Sequence, residues 1–142
     1  MNSQAKTILV VEDSPVQALS LINLLQINGL NVLCATDGIA GLDVAQSALP
    51  DAIVLDIEMP EKSGLEVCQV LKENPATVHI PIIMLTARQD MAALECSFHL
   101  GAVDFIPKDA FSEAVLLETL RQLNLLETNQ PTLLGGRPGE IL

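Results

Sequence analysis

The chain has 142 residues, 49% of them apolar, and a formal net charge of −11 from 18 acids against 7 lysines and arginines. That length and apolar share fit one domain with a sizeable core, while the acid excess disfavours direct nucleic-acid binding and attachment to an anionic membrane, both of which recruit Lys and Arg. No apolar stretch is long enough to span a bilayer and the N-terminus lacks a basic, apolar leader, so the expected location is cytoplasmic.

After a short N-terminal extension over residues 1–5, the chain alternates strand-like and helix-like stretches five times. Thr7 to Val11 is a continuous apolar run. Ser14-Pro15 then supplies an N-cap with proline at the first helical position, and the helix runs to Asn28, stopped by Gly29. Leu30 to Ala35 is a second strand, and Asp37 caps a helix reaching about Ala48 before Pro50. Ala52 to Asp56 is the third strand, followed by a breaker-rich loop to Ser63. A helix spans Gly64 to Glu73 and ends at Asn74-Pro75. Ile80 to Leu85 is the fourth strand, Asp90 to Leu100 a helix closed by Gly101, and Val103 to Ile106 a short fifth strand. Ala110 to Leu126 reads as a long Leu-rich closing helix, and residues 127–142, with Pro131, Gly135-Gly136 and Pro138-Gly139, as a tail or linker.

Strands that are apolar without alternation belong to sheets covered on both faces. With right-handed crossovers, the expected fold is α/β, a doubly wound five-stranded parallel sheet of flavodoxin-like type. In the order 2-1-3-4-5, strands one, three, four and five are neighbours, and ligand sites of such sheets lie at the strand C-termini. Here those ends carry Glu12-Asp13, Asp56, Thr86 and Lys108. Three carboxylates in one crevice repel one another unless a cation neutralises them, and a small all-oxygen set suits Mg²⁺. A carboxylate held there is a nucleophile toward phosphoryl groups, with Lys108 and Thr86 available to hold phosphoryl oxygens.

Val11-Glu12-Asp13-Ser14, Leu55-Asp56-Ile57-Glu58-Met59-Pro60, Gly64, Leu85-Thr86-Ala87 and Phe105-Ile106-Pro107-Lys108 together resemble the receiver domain of two-component response regulators, over about residues 6–126. The resemblance implies that Asp56 accepts a phosphoryl group from a histidine kinase or histidine phosphotransfer protein. It also implies that Glu12, Asp13, Asp56 and the backbone carbonyl of Glu58 hold Mg²⁺, and that Thr86 and Phe105 form the switch. Two positions depart from the family pattern. Asp109 follows the lysine where proline is usual, and Phe105 stands where many members have tyrosine; without a hydroxyl it is expected to sit inward.

Other residues have plainer expectations. Glu58 and Arg88 pair on the surface or, in a sharper reading, screen the acyl phosphate from water. His79 and His99 are structural or exposed, and Cys34, Cys68 and Cys96 are buried thiols. The closing helix carries more apolar residues than one face can bury. The last two helices and the strand between them are therefore expected to meet an output protein or a second copy. Two alternatives to a phosphorylated signalling domain stay open: an interaction module that works without phosphorylation, and a Mg²⁺ phosphohydrolase with an aspartyl intermediate. The latter needs a general acid/base, for which Glu58 is the nearby candidate.

Overall fold

A computed structural model describes residues 5–127. The expected extension (1–5) and tail (127–142) therefore lie outside the described residues, except for Ala5 and Glu127. The elements alternate as expected: β1 (Thr7–Val11), α1 (Pro15–Ile27), β2 (Asn31–Ala35), α2 (Gly38–Ala48), β3 (Ala52–Leu55), α3 (Gly64–Glu73), β4 (Ile82–Thr86), α4 (Met91–His99), β5 (Asp104–Pro107) and α5 (Ser112–Gln122). All strand pairs are parallel, in the order β2-β1-β3-β4-β5.

Residue alternation along the central strands divides the core in two. Leu9, Val11, Ile53, Leu55, Ile82, Met84 and Phe105 face one side, with Val67, Cys68 and Leu71 of α3 and Ala93 of α4. Ile8, Val10, Val54, Ile83, Leu85 and Ile106 face the other, with Leu21 and Leu25 of α1 and Leu116 and Leu120 of α5. Each face of the sheet is thus covered by helices, which is why these strands read as unbroken apolar runs.

The helix starts follow their caps. Ser14, Asp37, Ser63 and Asp90 each accept a backbone N–H of the first turn, and Ser63 and Glu66 form a reciprocal capping box. Gly29 and Gly101 end their segments at φ +87° and +107°, a region costly for other residues.

Three expectations are corrected. The fourth strand begins at Ile82 rather than Ile80, because residues 75–80 coil into a turn whose Val78 and Ile80 carbonyls accept from Lys72 Nζ, both at 2.8 Å. The closing helix is shorter than 110–126. Asp109 accepts the Phe111 N–H at 2.8 Å in a preceding turn, and Asn124 at φ +63° ends the helix, so Leu123, Leu125 and Leu126 fold back against the core. Much of the expected apolar excess is thereby absorbed. Finally, only Cys68 is buried; Cys96 is half-buried, and Cys34 is exposed because β2 is an edge strand.

Candidate functional site

Parallel register carries the ends of β1, β3, β4 and β5 to one edge. Val11 lies beside Leu55, Leu55 beside Met84, and Thr86 beside Pro107. The backbone ladder continues one residue further, with Asp56 N–H donating to the Val11 carbonyl at 3.2 Å and Lys108 N–H to the Thr86 carbonyl at 2.9 Å. The side chains of residues 12, 56 and 108 therefore leave ordered backbone, which fixes where they begin.

Lys108 Nζ donates to Glu12 Oε1 at 2.7 Å, to Asp56 Oδ2 at 2.9 Å, and to Gln17 Oε1. All three ammonium hydrogens are thus engaged. Glu12 Oε2 accepts the Ser14 N–H at 3.1 Å, and Asp56 Oδ1 accepts the Glu58 N–H at 3.2 Å. Glu12 and Asp56 are buried while Asp13 is exposed, yet one oxygen from each of the three lies within 4.8 Å of the others.

The protonation shifts follow from burial and from the crowding of carboxylates around one lysine. Burial, reinforced by the charge of Asp56, pushes the Glu12 carboxyl above its ordinary range, despite opposing hydrogen bonds from Lys108 and Ser14. Burial is also the largest single influence on Lys108 and acts to lower its pKa. The hydrogen bonds and charges of Glu12 and Asp56 outweigh it, and the net shift is upward. A buried carboxyl that is costly to ionise and an ammonium held more firmly than usual mark a buried, acid-rich site. Its donors are all carboxylate oxygens, which suit a hard divalent cation such as Mg²⁺.

Thr86 is fully buried at the end of β4, and its hydroxyl accepts the Arg88 N–H at 3.2 Å rather than meeting the carboxylates. Phe105 lies inward against the α2–α4 side of the core, as its lack of a hydroxyl suggested. Arg88 does not pair with Glu58: its guanidinium makes a two-pronged contact with Asp90 at 3.1 and 3.0 Å, while the Glu58 side chain is exposed. His79 and His99 are both exposed, and no peptide bond among the described residues, Lys108–Asp109 included, is cis.

Gln17 joins the site with nothing in the sequence to mark it. An amide on the first turn of a helix has no distinctive signal, and only the docking of α1 on the face it shares with α5 brings it to the lysine.

The sequence profile of the response regulator receiver domain matches residues 8–121. The chain belongs to this family. Among curated relatives of this receiver, "Response regulator MprA" of Mycobacterium avium (strain 104) is 40% identical over 116 residues, covering 82% of this chain and 50% of that protein. The receiver thus spans about half the length of the curated relatives it matches. Among solved structures, the signal receiver domain of a signal transduction histidine kinase from Syntrophus aciditrophicus superposes with a TM-score of 0.78 at 33% identity, covering 89% of this chain and 96% of that one. Vibrio cholerae chemotaxis protein CheY4 superposes at 0.77 with 29% identity, covering 84% and 98%. Receivers of this kind are signalling modules that bind Mg²⁺ in an acidic pocket, and Glu12, Asp13 and Asp56 form such an acidic cluster. No described helix is long and apolar enough to cross a membrane.

Proposed function

We propose that this receiver takes a phosphoryl group onto Asp56 from a histidine kinase or histidine phosphotransfer protein, and changes its protein contacts in response. The observation that carries the reading is the charge imbalance at the strand ends: three carboxylates converge and one ammonium serves two of them.

In this reading Glu12, Asp13, Asp56 and the Glu58 carbonyl hold Mg²⁺. When bound, the metal supplies charge neutralisation between the carboxylates and the incoming phosphoryl oxygens. An Asp56 oxygen attacks phosphorus, the P–N bond of the donor phosphohistidine breaks, and the imidazole leaves with the bonding pair. The Glu58 N–H and Lys108 Nζ, which contact different oxygens of Asp56, restrain its carboxylate for that attack. Lys108 then shifts toward the new phosphoryl oxygens. Thr86 exchanges its contact with the Arg88 N–H for one to the phosphoryl group, and Phe105 adjusts to the space Thr86 leaves.

The receiving unit in this reading is residues 6–126, with 1–5 as an extension and 127–142 as a tail or linker. The response surface is α4, β5 and α5. Met91, Phe98, Val103, Phe111 and Val115 remain exposed there despite their apolar character, supporting contact with an output protein or a second copy.

Incubation with Mg²⁺ and acetyl phosphate followed by intact mass measurement tests the reading. One added phosphoryl group, absent in Asp56→Asn, supports it. A wild-type protein that takes none leaves an interaction module without phosphorylation, and many phosphates released per molecule indicate a phosphohydrolase.

A further inference from the structure

The segment after β3 departs from the sheet at Asp56 and returns to touch its own starting point at Gly64. The Gly64 N–H donates to the Ile57 carbonyl at 2.8 Å. A Cβ placed on Gly64 would lie 2.1 Å from the Asp56 carbonyl oxygen, and 2.8 Å from both the Asp56 carbonyl carbon and Ile57 Cα. All three are backbone atoms, so no change of rotamer could relieve the overlap. Next to Gly64, where the segment enters α3, a Cβ on Gly38, the first residue of α2, would come 2.8 Å from the Lys62 carbonyl oxygen and 2.8 Å from Val67 Cγ2. Gly38 and Gly64 both lack a positive φ. Backbone freedom therefore does not explain them, and alanine is the better helix former. What each position requires is space.

We propose that Gly64, backed by Gly38, is a positioning residue for the Asp56 nucleophile: the absence of a side chain lets the 56–64 loop close on itself and fixes the Asp56–Ile57 peptide. That peptide sets where the Asp56 side chain originates and where the Glu58 N–H points, and Asp56 Oδ1 accepts from that N–H at 3.2 Å while Oδ2 accepts from Lys108 at 2.9 Å. Cβ atoms essentially never approach another heavy atom closer than 3.0 Å, so alanine at position 64 must move this backbone by roughly 1 Å. A displacement of that size at a reacting group costs about 10²-fold in rate. The inference rests on Asp56 being the phosphoacceptor.

The experiment follows acetyl phosphate labelling by intact mass across a range of donor concentrations, beside urea unfolding followed by circular dichroism. Folded Gly64→Ala is expected to lose about 30- to 100-fold in the maximal labelling rate, with the apparent KM for acetyl phosphate changed by less than about threefold. Leu71→Ala, a cavity beneath the same helix, controls for lost stability alone and should label at the wild-type rate while unfolding at lower urea. Folded Gly64→Ala labelling within about threefold of wild type overturns the proposal. Should Gly64→Ala not fold, Gly38→Ala decides: a loss of about 3- to 10-fold is expected, and an unchanged rate overturns it. Labelling of wild type that is absent in Asp56→Asn holds the underlying reading in place while the glycines are tested; failure of wild type to label overturns both.

Discussion

Replacing Lys108 with methionine removes the single cation shared by two buried carboxylates. Its Nζ lies 2.7 Å from Glu12 Oε1 and 2.9 Å from Asp56 Oδ2, and the side chains of Lys108, Glu12 and Asp56 are 20%, 3% and 7% exposed. At an effective dielectric of about 20, each contact is an attraction of roughly 6 kcal/mol, largely offset by the cost of desolvating the ions. The relevant quantity is therefore the cost of stranding the acids. Breaking a buried pair from one side costs about 3–5 kcal/mol, and partial exposure of the lysine lowers the expectation here to about 2–4 kcal/mol. The chain contains no Trp or Tyr, so urea unfolding is best followed by circular dichroism, in EDTA and near neutral pH. The midpoint should fall without a change in slope. Adding Asp56→Asn to Lys108→Met should return about 1–2 kcal/mol, because one of the two stranded charges is gone. Lys108→Met within about 0.5 kcal/mol of wild type would refute the electrostatic reasoning.

Asp13 is exposed and no described donor reaches its carboxylate, so Asp13→Ala should weaken Mg²⁺ binding at least about tenfold by calorimetric titration while changing metal-free stability by less than about 0.5 kcal/mol. Lys108 has a folded pKa raised above 10.5. Its stabilising contribution is fully present below that value and is lost as pH rises through the higher folded value. Alkaline unfolding of wild type should show this loss, and Lys108→Met should lack it. Arg88→Ala and Glu58→Ala should each change the lifetime of phosphorylated Asp56 at least about twofold, measured by intact mass after donor removal; unchanged lifetimes for both would exclude a role in screening the acyl group from water. Burial pushes the Cys68 thiol up to about 11; burial and the charge of Glu12 also raise the Cys34 thiol, but Cys34 is accessible at the surface whereas Cys68 is fully buried. A maleimide should therefore modify Cys34 in the folded protein and reach Cys68 only after urea is added.

Features that depend on neighbours along the chain can be read from residue order alone. Strands appear as short apolar runs, helix starts as Ser14, Asp37 and Asp90, and stops as Gly29 and Gly101, because capping and backbone strain act within a few residues; the capping box of Ser63 and Glu66 shows only in the folded chain. The polar residues closing those runs marked the site, although bringing them to one edge required the strand order, which the family resemblance supplied in part. The edge position of β2 exposed Cys34, since an apolar run does not reveal how many neighbours its strand has. Leu125 and Leu126 continued a helical pattern that Asn124 ended by turning left-handed, and folding back gave their side chains a place in the core. Lys108 meets Asp56 from 52 positions away and Glu12 from 96, and Gln17 joins them only through the docking of α1. Such contacts depend on how whole elements pack. Local rules therefore place a residue at a strand end, and tertiary packing chooses the charges it must face there.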